Sequence, residues 1–356
     1  MDNRGLLFIP DISGFTRFVN ETDIEHSRLI IQELLEVLIN ANDSGLQVSE
    51  VEGDAILFYK FGDNPGIEAI YKQVEKMFCD FHKRLILYDR RRFCQCTACS
   101  SSIGLTLKVI THYGEFTGYT VSNFNKLIGK DVILAHQLLK NDIAQHEYWL
   151  VTDNLLQADK PADLTNWMKW DRSIKQTENG DVTFHYTHLG QLKDNIEPDP
   201  PLQLELSEKI KVLSFTREYD TDIITLFHAS GDFSYRSRWQ EGVKAIEEVS
   251  HLLPRLGMKH RKLQENGETI IFASSYSFSP DRIEFSETDE RKMNSTGFTL
   301  EKISDYKTRL TVDHYIKRGF MEPFLFNLLR KRRMSFLLQR SLENLDAVAK
   351  EIRLPH

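Results

Sequence analysis

Apolar and polar positions recur along this chain with two periods, and the change from one to the other places its elements. Leu6 to Pro10 is a short apolar run ending in Asp11, which predicts a buried strand. Leu29, Ile30, Leu34, Leu35, Leu38 and Ile39 then recur at three- and four-residue spacing, the signature of an amphipathic helix. Leu46 to Glu52 alternates as a strand, Gly53-Asp54 follows, and Ala55 to Phe61 reads as a second strand. Two strand patterns joined by a Gly-Asp pair predict a hairpin. A long helix is expected from about Ile67 to about Leu87, a strand over Ser102 to Tyr113, a helix over Asp131 to Leu139 and a strand over Tyr148 to Thr152. The resulting order, β-α-β-β-α-β-α-β, predicts a mixed sheet with helices packed on one face.

The pattern breaks at Asp194 to Pro201, where three prolines and three acids in eight residues disfavour both helix and sheet. A linker over 194–205 is expected there, dividing a domain over 1–193 from one over 206–356. Beyond it, Ile210 to Tyr219 reads as a strand, with helical pieces around Ile223 to Phe227 and Trp239 to Val249. Four strand-like runs follow: Thr269 to Phe278, Arg282 to Thr288, Gly297 to Ile303 and Arg309 to Ile316. A long amphipathic helix closes the pattern, with Phe324, Leu325, Leu328, Leu329, Phe336, Leu337 and Leu342 on its apolar side. This half predicts a curved antiparallel sheet gripping a terminal helix.

Composition narrows the class. With 356 residues the chain is too long for one ordinary core and fits two domains. Hydrophobic residues at 41% and charged residues at 27% permit packed cores and argue against wholesale disorder. A formal net charge of −7 argues against a nucleic-acid binder, which needs a basic face. No apolar run reaches the ~18 residues of a membrane span, and the first residues enter a strand pattern without a signal-peptide stretch. The expectation is a cytoplasmic protein.

Two short segments carry chemistry. Phe8-Ile9-Pro10-Asp11-Ile12-Ser13-Gly14-Phe15-Thr16 is an apolar strand ending in an acid and a glycine turn, and Glu50-Val51-Glu52-Gly53-Asp54-Ala55 places a second acid at a hairpin. Together, in this order and with one helix and one strand between them, they resemble the opening strand and the metal hairpin of class III nucleotide cyclases. His112-Tyr113-Gly114-Glu115 is similar to that family's His-x-Gly. The resemblance covers about residues 5–155 and implies a ferredoxin-like α+β cyclase domain. It also implies that Asp11 and Asp54 are catalytic metal ligands for two Mg²⁺ or Mn²⁺ ions, with the Ile12 carbonyl as a further ligand. Cyclising a nucleoside triphosphate requires clamping the attacking and leaving oxygens, and hard divalent cations take carboxylate ligands. Gly14 and Phe15 would then lie beside the triphosphate, Gly14 leaving room against backbone N–H groups. Because the family builds its site across two such domains, the resemblance also implies a homodimer.

The segment also departs from the family. Its dimer-contact helix reads Gly-x-x-Val-Asn-x-Ala-x-Arg, and here Gly129, Val132 and Ala135 match while Ile133 replaces the ribose-orienting asparagine and Gln137 the transition-state arginine. An arginine aimed at developing phosphoryl charge contributes on the order of a thousandfold in rate, which glutamine cannot supply. Base recognition falls at Glu50 and Lys126, where adenylate cyclases place lysine and aspartate, so the charges are exchanged. This pair could read a guanine or pyrimidine edge, or could be a surface ion pair. Two functions stay open: a divergent signalling cyclase (a phosphorus–oxygen lyase), or a nucleotide-binding sensor or scaffold without turnover.

All four cysteines lie between Cys79 and Cys99. Cys94, Cys96 and Cys99, with Cys79 or His82, predict a structural zinc site, since thiolates at short spacing fold around one tetrahedral ion. The alternative is a set of small apolar core residues. Residues 206–352 resemble the helix-grip fold of the SRPBCC superfamily in element order, the Trp239 region, Gly257 and the closing helix. That resemblance implies a cavity for a hydrophobic small molecule, for which Tyr276, Phe278, Phe285, Phe298 and Phe320 are candidate lining residues. Arg330 to Arg333 reads as a solvated helix face, and membrane contact is not expected.

Overall fold

The computed structural model describes residues 3–352 apart from 23, 92–96, 123, 157–163, 178–179, 198–203, 250–255, 266 and 320–321. The chain divides into two compact units, the first holding residues 1–90 and 95–199 and the second including 200–356.

The first unit runs β1 (Arg4–Ser13), α1 (Phe15–Glu21), α2 (Ile24–Asn40), β2 (Gln47–Glu52), β3 (Ala55–Phe61), α3 (Ile67–Arg91), α4 (Thr97–Ser101) and β4 (Thr106–Glu115). It continues with β5 (Thr117–Val121), β6 (Phe124–Ile128), α5 (Lys130–Leu139), β7 (Tyr148–Thr152), α6 (Asp153–Leu156), β8 (Asp171–Thr177) and β9 (Gly180–His188). The main sheet has the order β2-β3-β1-β4-β7-β9-β8, with β5 and β6 as a separate ribbon. Its first four strands pair antiparallel throughout, β2 on β3, β3 on β1 and β1 on β4. That order, with helices between β1 and β2 and between β3 and β4, is the split β-α-β of a ferredoxin-like core. The β2–β3 connection is the two-residue Gly53-Asp54 turn, where Gly53 adopts φ 60° and so occupies the left-handed region.

The expectation of helices on one face is corrected. Every residue of β1 after Arg4 is buried, so both faces of the sheet are covered. Leu7, Ile9 and Leu150 pack with Val132, Ala135 and Leu138 of α5. On the other face Trp149, next to Leu150 in β7, lies 6.0 Å from Tyr71 of α3. The hairpin of β8 and β9 was not visible in the hydrophobic pattern, because β8 is an edge strand with Ile174 itself 52% exposed.

The second unit contains β10 (Lys209–Tyr219), α7 (Ile223–Gly231), α8 (Arg236–Trp239), β11 (Val243–Glu248), β12 (Lys259–Gln264), β13 (Gly267–Ser279), β14 (Arg282–Asp289), β15 (Asn294–Ser304) and β16 (Lys307–Lys317). The short α9 (Glu322–Leu325) and the long α10 (Lys331–Glu351) follow. The sheet is antiparallel in the order β10-β16-β15-β14-β13-β12-β11. Leu342, Leu345, Val348 and Ala349 of α10 pack against Tyr219, Phe285, Leu300 and Val312 of that sheet.

Two expectations fail in this unit. The helix expected over Trp239 to Val249 ends at Trp239, because Gly242 turns the chain at φ 80° and β11 begins at Val243. The apolar side expected for the terminal helix is also broken. Phe324, Leu328, Leu329 and Phe336 are 64%, 68%, 70% and 61% exposed, whereas Phe326 is buried against Leu213 and Ile316. A wider π-type turn over Phe326–Arg330 rotates the helix face, so residues spaced for one α-helical stripe leave the sheet until Leu342.

Candidate active site

Asp11 and Asp54 end adjacent strands because β1 pairs β3 with Asp11 opposite Ala55. The Ile12 N–H donates to the Asp54 carbonyl at 2.9 Å, tying the two strand ends together. Asp11, Ile12, Gly14, Phe15 and Asp54 all line one cleft of the first unit, of about 1270 Å³. Gly14 caps α1 with φ 89°, and a Cβ there would approach nothing closer than 3.7 Å. The glycine is therefore required for its backbone conformation rather than for space.

The electrostatics of this pair are those of a site short of positive charge. Burial pushes the Asp11 carboxyl up to about 6; Lys108 opposes this and the neighbouring Asp54 adds to it. Burial also raises Asp54, against a backbone hydrogen bond and Lys108. Lys108 reaches Asp11 Oδ1 at 3.3 Å and donates to the Leu139 carbonyl at 3.2 Å, so it neutralises the pair only in part. Ser13 Oγ is buried at the same cleft without a hydrogen-bond partner. Two desolvated carboxylates, one shared lysine and an unsatisfied hydroxyl fit a hard divalent cation. Lys108 was missed in the sequence. Only the β1–β4 register brings it opposite Asp11, and that register has no signature in spacing.

The His-x-Gly segment has a structural task here. His112 is fully buried, with Nδ1 2.8 Å from Thr152 Oγ1 and Nε2 3.2 Å from Asp131 Oδ1. The Glu115 N–H donates to the other Asp131 oxygen at 2.6 Å. Burial alone would raise Asp131, but these hydrogen bonds hold its carboxyl below the usual range. A Cβ on Gly114 would meet the Asp131 side chain at 2.4 Å, which is why glycine stands there. The segment thus fixes the start of α5.

Glu50 and Lys126 do not line the cleft. They form an ion pair with each other across β2 and β6, and His136 lies 3.7 Å from Glu50 and 3.9 Å from Glu52. Ile133, at the position where the resemblance places asparagine, is 57% exposed on α5. Within one chain, Asp11 and Asp54 are separate from Glu50 and Lys126.

Of the residues expected to hold zinc, Cys79 and His82 lie on α3 and Cys99 on α4. Cys94 and Cys96 lie outside the described residues. Cys99 is buried and accepts from Tyr88 at 2.7 Å, with His26 Nδ1 at 3.4 Å. In the metal-free protein burial pushes the Cys79 thiol up to about 11 and the His82 imidazole down to about 3. In the second unit, Phe285 and Phe298 stack at 4.5 Å inside the core, Tyr276 lies 5.6 Å from Phe227, and Phe278 is 42% exposed. Phe278 pairs with Ile283 and so shares the sheet face of Tyr276, and Phe320 lies outside the described residues. Among the described residues no helix is long and apolar enough to cross a membrane.

Residues 31–148 match a family model described as a protein of unknown function (DUF2652). An uncharacterized protein of Mycobacterium tuberculosis (Rv2561/Rv2562) is 32% identical over 125 residues, which is 35% of this chain and 58% of that protein. The chain thus spans little more than half the length of this relative. Among solved structures, the catalytic core of a rhodopsin-guanylyl cyclase in complex with ATPalphaS is similar over 52% of this chain and 94% of its own, at 15% identity and a TM-score of 0.37. The guanylate cyclase domain of RhGC from Catenaria anguillulae in complex with GTP is similar over 52% and 95%, at 14% identity and a TM-score of 0.36. Scores this low carry no weight for the chemistry, which rests on the strand order and residues above.

Proposed function

We propose that the first unit is a divergent class III cyclase-like domain that binds a nucleoside triphosphate with two divalent cations, and that the second is a ligand-binding module controlling it. The observation that carries this reading is the meeting of Asp11 and Asp54 at adjacent strand ends of a ferredoxin-like sheet, in one cleft with an incomplete positive counter-charge. Asp11, Asp54 and the Ile12 carbonyl would hold Mg²⁺ or Mn²⁺, which supplies charge stabilisation at the transferring phosphoryl group. Lys108 orients Asp11, and Gly14 and Phe15 shape the floor beside it. Lys169 and His146 of the same cleft add basic groups suited to a polyphosphate.

The separation of the two half-sites supports a homodimer. Glu50 and Lys126 of one copy would meet the nucleotide held by Asp11 and Asp54 of the other. The exposed apolar side chains of Val51, Ile128 and Ile133, at 48%, 57% and 57%, belong to β2, β6 and α5, the elements that carry or adjoin Glu50 and Lys126. The second unit's first and last strands pair, and a long helix lies on the sheet, which supports the helix-grip reading and a small-molecule ligand.

A second reading, nucleotide binding without turnover, is favoured by Ile133 and Gln137, which stand where the resemblance places the asparagine and the transition-state arginine, so that only Lys130, His136 or Lys140 could replace that charge. Purified protein incubated with ATP, GTP, CTP or UTP and Mn²⁺, beside Asp11→Ala, separates the two by mass spectrometry of products. A cyclic nucleotide from the wild type alone is the expected result for a cyclase. Metal-dependent binding without product establishes the sensor, and absence of both refutes the nucleotide reading.

A further inference from the structure

The closing helical segment of the second unit is fastened to its sheet by one side only. Phe326 of the π-type turn is buried against Leu213 and Ile316, and Leu342, Leu345 and Val348 further along α10 lie in the main core. The other side presents Phe324, Leu325, Leu328, Leu329 and Phe336, all exposed. Steps of four join Phe324 to Leu328 and Leu325 to Leu329, so these side chains form a patch rather than isolated contacts with water. Single exposed apolar residues are ordinary on a protein surface, but a contiguous group of large ones marks a place of interaction.

The same segment is strongly basic. Between Lys317 and Arg340 there are seven basic residues and one acid, in a chain whose formal net charge is −7. Arg330, Lys331, Arg332 and Arg333 are exposed, as are Lys317 and Arg318 at the end of β16. None of these six side chains makes an ion pair or hydrogen bond with another described residue. Cations elsewhere on this unit are paired: Lys307 and Arg309 with Glu218, and Arg282 with Glu284 and Glu301. Arg332 and Arg333 stand four residues beyond Leu328 and Leu329, and Phe336 four beyond Arg332, so unpaired cations border the apolar side chains. The β14–β15 turn adjoins Lys317, whose N–H donates to the Met293 carbonyl at 2.8 Å, and adds the exposed Arg291 and Lys292.

A basic helix whose apolar side faced its own core would hold an anionic membrane by charge alone, which is weak. Here the apolar side faces outward and supplies the second anchor, which overturns the expectation of a merely solvated helix face. Charge and shape also separate the possible occupants. A second copy meeting this face about a two-fold axis would bring two sets of unpaired cations together. A nucleic acid would satisfy the cations and leave Leu328 and Leu329 without partners. An anionic lipid surface satisfies both, with headgroups for the cations and acyl chains for the leucines and phenylalanines. We propose that this face is a peripheral membrane-docking surface: Phe324, Leu325, Leu328, Leu329 and Phe336 enter the headgroup–acyl boundary of an anionic membrane, and the surrounding basic residues bind its headgroups. The helix lies on the bilayer rather than across it, in keeping with the lack of a long apolar helix among the described residues. This inference is independent of what either unit binds.

Flotation of the full chain with phosphatidylcholine vesicles, with and without about 30 mol% phosphatidylserine, tests the proposal. Binding to the anionic vesicles should be at least about tenfold stronger than to the neutral ones, and should weaken several-fold at ~0.5 M NaCl. The double variant Leu328→Ser/Leu329→Ser should lose at least about tenfold in anionic binding, and Arg332→Glu/Arg333→Glu a similar factor. Both pairs are exposed, so each variant should melt within about 2 °C of the wild type, as circular dichroism will show. Absence of wild-type binding to anionic vesicles, or equal binding to both kinds, overturns the proposal. Full binding by the leucine variant reduces the contact to charge attraction and overturns insertion of the apolar face. A lower melting temperature in the leucine variant means that the stripe is covered in the folded protein, which also overturns it. So does a dimer in sedimentation equilibrium that the leucine variant abolishes while vesicles are not bound, since the face then belongs to a second copy.

Discussion

Asp11 is held in a state that suits metal binding and costs folding free energy. Its carboxyl is raised from the ordinary 3.8 to about 6 by burial, with Lys108 only partly compensating. In the metal-free protein the folded state therefore binds a proton more tightly than the unfolded chain. The stabilisation from this group is full below about pH 3.8 and is lost as pH rises through about 6. Asp11→Asn should accordingly stabilise the metal-free protein at pH 8, by up to about 2–3 kcal/mol, and change little near pH 4. Excess Mn²⁺ should reverse the order at pH 8, since a cation that binds only the folded wild type adds stability by mass action. Thermal unfolding in EDTA and in Mn²⁺ across this pH range measures both. An Asn variant less stable than the wild type in EDTA at pH 8 would make Asp11 a structural partner of Lys108. The residue types were legible in sequence at Asp11, Gly53 and Asp54, where a local motif fixes the chemistry. Lys108 was not, because it gains its meaning from Asp11, which only the strand register brings opposite it.

Elements with a clean period were legible to within a few residues. The first three strands, the two long helices of the first unit and the last four strands of the second all follow from alternation or three-to-four spacing. What misled was periodicity without burial. The stripe from Phe324 to Phe336 has the spacing of a core helix, yet the π-type turn carries much of it off the sheet. Leu328→Ser should thus change stability by no more than about 0.5 kcal/mol, while Leu345→Ala, at 0% exposure on the same helical segment, should cost about 2–5 kcal/mol. Chemical denaturation of both variants decides the matter. A large loss from Leu328→Ser would mean that this stripe is covered in the folded protein. The β11 strand escaped notice for the opposite reason, since its residues Val-Lys-Ala-Ile-Glu-Glu fit a helix locally and only Gly242 and pairing with β12 make them extended.

At the scale of the whole molecule, each chain carries two separated halves of what the proposed chemistry needs. Asp11 and Asp54 share a cleft that Glu50 and Lys126 do not enter. The sequence announced both pairs but not their separation, since intervals along a chain do not say which strand end faces which. If a head-to-tail dimer unites them, two defective chains can repair each other. An Asp11→Ala chain lacks the metal half but retains Glu50 and Lys126, and a Lys126→Glu chain has the reverse defect. In an equal mixture with free exchange, half of the dimers are mixed and each of these holds one intact site, so about one quarter of wild-type nucleotide binding should return. Neither variant alone should show it. Fluorescent-nucleotide titration in Mn²⁺, with the two variants measured separately and then mixed, reads this directly. Full binding by Lys126→Glu alone would place the whole nucleotide site within one chain. Loss in both without recovery on mixing, in a sample shown to exchange subunits, would remove the shared site and leave Glu50 and Lys126 as an ordinary surface ion pair.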